Sequence, residues 1–446
     1  MPAFKAYDVR GRYPDEIDDA LAERIGYWTV KYLNARTLGL GRDIRLAAPA
    51  VAGAVARGAC AAGARVLDFG VVTTPMTWYA VGHLRLDGGI MVTASHNPPR
   101  DIGFKICREG AFPIGERTGL KEIEAMVRQP VQPVSPAGAA ETISIVGEYR
   151  NHLRRFVGPL RPLRVAVDTA NGCVGVHFDK LFGDLPVKFD RLFFEPDGRF
   201  PNHEPNPLKD ANLKDIQKAI VENRADLGAA FDGDGDRCMF LDAHGRRVPS
   251  DLLTALLAER ELAKNPGAAV VYDLRSSRAV RETIERAGGK PIRERVGHAF
   301  MKEAMKKHSA IMGGELSGHY YFRDHYNADS GLLAFAKVLN VLGSQPDPIA
   351  NLLAPYRKYP STGEVNFHVE DKTGAMEALA AAFPGRQDRL DGITVEFDDW
   401  WFNVRPSNTE PLLRLNIEAG TAPMLEEKKA LVFDVLKKAG AELETQ

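Results

Sequence analysis

The chain has 446 residues, 44% hydrophobic and 26% charged, roughly three times the length of an ordinary domain and apolar enough for several cores. Its 58 Lys+Arg nearly cancel 59 Asp+Glu, a formal net charge of −1, which excludes a nucleic-acid binder that works by bulk charge. Four scattered cysteines, Cys60, Cys107, Cys173 and Cys238, exclude a disulfide framework and a zinc ribbon. No run reaches about 18 uninterrupted apolar residues, and the start, MPAFKAYDVRGRYPDE, is too polar for a signal peptide. A soluble, cytoplasmic, multidomain protein without nucleic-acid or membrane partners is the expectation.

In chain order, a pattern recurs three times. An apolar run at 44–48, an Ala/Gly-rich segment and a second run at 65–69 read as strand, helix, strand. The same arrangement returns at 163–167, 176–182 and 187–194, and again at 268–272, 278–287 and 290–296. This is the signature of βαβ units and parallel sheets. Each unit is followed by an amphipathic helix, at 76–86, 212–223 and 299–307. In the last, Phe300, Met301, Ala304 and Met305 form one face while Lys302, Lys306 and Lys307 point away. Short strands at 90–93, 227–231 and 310–312 then run into three polar loops: TASHNP (93–98), DGDGDR (232–237) and GELSGH (314–319). Ligands of open parallel sheets bind where such loops leave the strands.

Breaker residues set the divisions. Pro130, Pro133, Pro136 and Gly138 make 128–142 an exposed connection, a turn at 242–249 precedes a helix at 251–263, and 355–363 separates a tail of alternating strands and two helices. The fold class is therefore α/β with four domains: three related ones with mixed, largely parallel sheets at 1–141, 142–245 and 246–357, and a smaller α+β domain at 358–446.

DGDGDR carries the sharpest chemistry. Asp232, Asp234 and Asp236 alternate with glycines that let the backbone bend, and three converging carboxylates call for a hard cation such as Mg²⁺ or Ca²⁺. An EF-hand fails on spacing, since Arg237 stands at position six and Ala243 at position twelve; a solvated acidic turn is the bland alternative. TASHNP offers Ser95 beside His96 without the glycines of a hydrolase elbow, and by itself reads equally as a self-capping turn. Lys105, ten residues on, can return to that loop on a neighbouring strand as a cation or proton carrier. In GELSGH, Glu315, Ser317 and His319 recur at period two, one-sided if extended, and suit a polyol better than zinc. His298 reads either as a site residue or as a histidine that opens a helix. RPSNTEP (405–411) sets Arg405 beside Ser407, Asn408 and Thr409, a phosphate cradle or a surface turn, and Arg10 in YDVRG (7–11) is a fainter phosphate partner.

A metal site, a serine, a polyol loop and a phosphate cradle converge on phosphoryl transfer to a sugar phosphate. No P-loop or kinase signature supplies a nucleotide, and a serine that itself carries the phosphate removes the need for one. With YDVRG, TASHNP, DGDGDR, GELSGH and RPSNTEP in this order, the whole chain resembles the α-D-phosphohexomutase superfamily, in particular its bacterial phosphomannomutase/phosphoglucomutase members.

The resemblance implies four domains around a central cleft and interconversion of hexose 1-phosphate and hexose 6-phosphate, glucose and/or mannose. A phosphoserine at Ser95 and a reorienting hexose 1,6-bisphosphate would carry that exchange. It implies Mg²⁺ on Asp232, Asp234, Asp236 and Ser95. It places Glu315, Ser317 and His319 on the sugar, Arg405, Ser407, Asn408 and Thr409 on the distal phosphate, and Arg10, His96, Lys105, Arg237 and His298 around the reacting group. Arg275 stands where relatives often have Lys, which favours phosphate contact over proton transfer. A monomer that takes sugar phosphates is expected. A phosphoglucosamine mutase, a metal-dependent sugar phosphatase and an inactive sensor are the rivals.

Overall fold

The structure is a computed structural model that describes residues 1–407 and 412–444. The chain divides into two compact units, Met1–Ser250 with Gly297–Leu352, and Asp251–Val296 with Leu353–Gln446. No helix among the described residues is long and apolar enough to cross a membrane.

The first unit holds two complete sheets. In one, the order is Val9–Arg12, Asp101–Arg108, Gly88–Val92, Thr37–Arg42, Arg65–Val71 and Ala140–Thr142. Its last four strands are parallel, whereas Asp101–Arg108 runs antiparallel to both its neighbours. In the other, Cys238–Leu241 is antiparallel to Leu227–Phe231, which lies parallel to Leu163–Asp168 and then Val187–Leu192. A smaller hairpin in the same unit joins Met312–Gly314, Tyr320–Phe322 and Ala328–Asp329. Strands Gly88–Val92 and Leu227–Phe231 are buried along their whole length, as expected where both faces of a sheet are covered. Each of the three polar loops leaves the carboxyl end of such a buried strand and returns as its antiparallel neighbour.

The second unit contains the parallel pair Ala269–Asp273 and Lys290–Glu294. It also holds an antiparallel sheet in the order Arg386–Asp388, Ile393–Glu396, Trp400–Pro406, Leu412–Ala419, Ser361–His368 and Glu442–Leu443. Helices Lys372–Ala382 and Ala422–Lys438 supply Leu379, Val432 and Leu436 to the core of that sheet. The tail is thus α+β, as its alternating pattern predicts.

Several elements depart from the sequence reading, each for a local reason. The run 44–48 is a turn that enters the next helix at Ala48 and not a strand; the strand is Thr37–Arg42, TLGLGR. Its Gly39 and Gly41 hide it from a propensity argument, yet a Cβ there would meet the Phe69 ring at 2.9 Å and Thr77 Oγ1 at 2.3 Å. Within the Pro-rich connection, Ala140–Thr142 pairs with Arg65–Val71 as an edge strand. The helix placed at 299–307 begins at His298, and its Lys302, expected to face away, is buried. Residues 315–319 form a turn between two strands and are not extended.

Helices Asp19–Leu33 and Ala48–Ala61 pack backbone against backbone. A Cβ on Gly58 would lie 1.8 Å from the Glu23 carbonyl oxygen, and one on Gly26 2.2 Å from that of Val55. The neighbours are main chain and cannot swing aside, so Gly58→Ala is expected to destabilise the first unit by about 1–3 kcal/mol. A lowered thermal unfolding midpoint would register this, whereas a neutral or raised midpoint would contradict the close approach.

Candidate active site

The first sheet presents Ser95 at the end of Gly88–Val92. Its φ is 51°, in the left-handed region, which costs a non-glycine residue about 1–2 kcal/mol. The side chain is buried, with Oγ 2.9 Å from Asp232 Oδ2 and 3.2 Å from His96 Nδ1. The antiparallel return Asp101–Arg108 carries Lys105 back beside this loop, and Val9–Arg12, paired with that strand, carries Arg10. Arg10 donates to Asn97 Oδ1 at 2.7 Å and to Asp8 Oδ2 at 2.6 Å.

The second sheet supplies DGDGDR, whose three aspartates are all buried. Gly235, at φ 73°, makes the reversal that brings them together. Carboxylate oxygens of Asp232, Asp234 and Asp236 lie within 4.8 Å of one another. Lys105 Nζ sits 2.7 Å from Asp234 Oδ2 and 2.5 Å from Asp236 Oδ2, and Thr74 Oγ1 donates to Asp234 Oδ2 at 2.5 Å. Burial would lower the Lys105 pKa, but Asp234 and then Asp236 outweigh it and raise it. Burial, then Asp236 and Asp234, push Asp232 well above the usual carboxylate range. For Asp236 burial acts in the same sense, but Lys105 and then His319 hold it well below that range.

The donor set fits a hard divalent ion. Three carboxyl groups converge with oxygens within 4.8 Å of one another, and Asp234 Oδ1 is buried with no hydrogen-bond donor. Oxygen-only donors of this kind suit Mg²⁺. A second cluster, Asp236, His319 and Asp329, shares one aspartate with the first.

The hairpin loop places Glu315, Ser317 and His319 together although the segment is not extended. Ser317 Oγ lies 2.9 Å from His319 Nδ1, and His319 Nε2 lies 3.4 Å from Asp236 Oδ1. Arg237 Nε donates toward His319 Nε2 at 3.3 Å, and the backbones of Arg237 and His319 form a bridge that ties DGDGDR to GELSGH. Glu315 accepts from the Gly297 N–H at 3.0 Å and the Tyr321 hydroxyl at 2.5 Å. His298 opens its helix beside the Tyr7 ring at 5.8 Å. Burial, then Lys302 and Lys105, hold His298 well below the usual imidazole range; burial, then Arg237 and Arg10, do the same for His96. Both rings are therefore neutral near pH 7.

In the second unit, Arg405 ends the strand Trp400–Pro406 opposite Arg414. Glu364 Oε2 accepts from Arg405 at 2.8 Å and Arg275 at 3.3 Å, and Arg414 lies 3.5 Å from its other oxygen. Arg275 also forks onto Asp273, at 2.8 and 3.2 Å, the two-pronged contact that Lys cannot make. Ser407 follows Arg405, its backbone N–H bonded to the Leu412 carbonyl at 2.8 Å. Asn408 and Thr409 lie outside the described residues.

Sequence reasoning missed several participants. Asp43 and Arg45 lie beneath the Ser95 loop, and Thr74, Tyr321, Asp329 and Glu364 hold site residues from elements that carry no motif. Lys302 pairs with the buried Asp329 at 2.7 Å and lies 5.4 Å from the Trp78 ring. Only its place one step off an apolar helical stripe hinted at burial.

Four sequence models of one family cover the chain in order: phosphoglucomutase/phosphomannomutase alpha/beta/alpha domain I over 1–132, domain II over 148–245, domain III over 249–359 and the C-terminal domain over 364–435. Phosphohexose mutases of Xanthomonas campestris pv. campestris (strain B100) are 42% identical over 98% of this chain and 99% of the relative. A phosphomannomutase of Salmonella montevideo is 39% identical over the same shares. The crystal structure of a phosphoglucomutase/phosphomannomutase family protein from Burkholderia thailandensis superposes with a TM-score of 0.90 at 33% identity, covering 99% of both chains. Fold and site thus define a four-domain hexose-phosphate mutase, an intramolecular phosphotransferase. The chain belongs to the phosphoglucomutase/phosphomannomutase family.

Removing one partner of a buried ion pair strands the other charge, at about 3–5 kcal/mol. Lys302→Met is therefore expected to lower the thermal unfolding midpoint clearly, and Lys302→Met combined with Asp329→Asn to recover part of the loss. A single variant as stable as the parent would show the pair to be dispensable.

Proposed function

We propose that Ser95 is the phosphate carrier through which this mutase exchanges the two ends of a hexose monophosphate, glucose or mannose. The observation that carries the reading is the 2.9 Å contact between Ser95 Oγ and Asp232 inside a buried triad of carboxylates. A phosphoserine brings a charge of about −1.5 to −2, so the cations around it have a defined task. Lys105, Arg237 and Arg10 are the groups suited to offset charge as the phosphoryl group moves. Asp232, Asp234, Asp236 and the Ser95 oxygen would hold Mg²⁺, which supplies further positive charge against the transferring group.

The P–O bond to Ser95 breaks as one forms to the free hydroxyl of the sugar phosphate, and the hydroxyl proton passes to a base. The neutral imidazoles of His96 and His298 can each accept a proton; His96 Nδ1 already lies within reach of Ser95 Oγ. Glu315, Ser317 and His319 suit the sugar hydroxyls, and Arg405, Ser407 and Arg275 suit the phosphate that does not react. The resulting hexose 1,6-bisphosphate turns end for end, and its other phosphate returns to Ser95. Both ends of one sugar must be accepted, which favours guanidinium recognition of phosphate over tight recognition of the ring. Names of the relatives, phosphohexose mutase and phosphomannomutase, support glucose and mannose over glucosamine.

Ser95→Ala is expected to abolish turnover in a coupled assay primed by hexose 1,6-bisphosphate while leaving substrate affinity within about threefold. Persistent turnover would remove Ser95 from the mechanism, and net inorganic phosphate without isomerised product would make the protein a phosphatase. Stripping divalent ions with EDTA is expected to stop turnover and added Mg²⁺ to restore it. Full activity in the stripped protein would refute the metal reading of the triad.

A further inference from the structure

Arg45 is among the largest fully buried side chains of the described residues, with 0% side-chain exposure. All five of its guanidinium N–H groups are used. Nε donates to Asp43 Oδ2 at 3.1 Å; Nη1 donates to the carbonyls of Pro98 (2.5 Å) and Asp101 (3.0 Å); Nη2 donates to those of Ser95 (2.9 Å) and Asn97 (2.7 Å). One planar group thus gathers four carbonyls of the loop that presents Ser95. The Phe200 ring, 5.2 Å from the guanidinium carbon, lies over it.

The other side of Ser95 is held by the same pair. The Ser95 N–H donates to Thr93 Oγ1 at 2.8 Å, the Thr93 side chain lies by the Asp43 carboxylate, and the Asp43 N–H is anchored on the Val92 carbonyl at 2.9 Å. Both peptide planes that flank Ser95 therefore lead back to Asp43 and Arg45, which fixes its φ and ψ together. A left-handed φ on a serine persists only where its surroundings over-determine it. Buried ion pairs are weak sources of net stability and can often be replaced by apolar groups without loss, so stability alone does not account for this one.

We propose that Asp43 and Arg45 form a clasp that positions Ser95 for phosphoryl transfer, with Arg45 as the positioning residue acting through the loop carbonyls and Thr93 as the link to the Ser95 N–H. The proposal rests on Ser95 being the phosphate carrier. A carrier that must serve both ends of a turning substrate gains from one invariant hydroxyl direction, since a misplacement of about 1 Å can cost about 100-fold in rate.

The test compares full-length Arg45→Lys, Thr93→Val and Ser95→Ala in the primed mutase assay at saturating Mg²⁺, with kcat and KM resolved. Lysine cannot reproduce a five-donor fork, so Arg45→Lys is expected to lose about 100-fold in kcat with KM within about twofold. Thr93→Val keeps shape and removes the hydroxyl link; about a tenfold loss, again in kcat, is expected. A kcat within about twofold of the parent in either variant, or a loss confined to KM, overturns the clasp. If Arg45→Lys does not fold, Thr93→Val decides alone. Turnover surviving in Ser95→Ala overturns the carrier reading and the clasp with it; turnover lost there but retained in the other two overturns the clasp only.

Discussion

Asp232, Asp234 and Asp236 are withdrawn from water within reach of one another, and the groups packed around them answer that concentration of charge. Two like charges about 4 Å apart repel by about 4 kcal/mol at an effective dielectric constant of about 20, so the cluster cannot stand without nearby cations. Lys105 lies between two of the carboxylates, Arg237 follows the third, and Thr74 donates to the second. Burial, with Arg237, Arg10 and Lys105 around His96 and Lys302 and Lys105 around His298, holds both imidazoles well below their usual range. One concentration of charge thus bears on Asp232, Asp236 and Lys105, and its cations on His96 and His298.

Much of this was legible in the sequence, because the residues concerned sit in short loops whose composition makes little sense as plain turns. DGDGDR concentrates carboxylates between glycines, and the strands before each loop show as short apolar runs. The regular elements most easily read were those with ordinary periodicity, such as Leu163–Asp168, Leu227–Phe231 and Ala422–Lys438. Thr37–Arg42 was not legible, since its two buried leucines, Leu38 and Leu40, are separated by glycines that dilute the apolar signal; the bulk of Phe69 and Thr77 opposite leaves no room for a Cβ at 39 and 41.

Charged residues that face inward were the other blind spot. Arg45, Lys302 and Asp329 are buried, and nothing in local composition separates them from surface residues of the same type. Their partners come from distant parts of the chain: four carbonyls of 95–101 for Arg45, a strand residue 27 positions away for Lys302. In GELSGH the residues were legible and the geometry was not, because a hairpin turn brings Ser317 and His319 together as well as an extended strand would. Glu364 was invisible for a related reason. It lies in an alternating strand, and only the folded sheet shows three guanidiniums meeting on it.

The three chemical loops share one construction: each departs from a buried strand and comes back on the adjacent antiparallel one. Paired strands hold their ends roughly 5 Å apart, so the gap a loop has to span is set by the sheet and not by the residues that fill it. Substitutions between those two posts can alter the chemistry of a loop while the scaffold stays unchanged. Conversely, repacking of the surrounding helices can proceed far without moving the posts. Divergence in the body of the protein and divergence in its three polar loops are therefore separable events in this architecture.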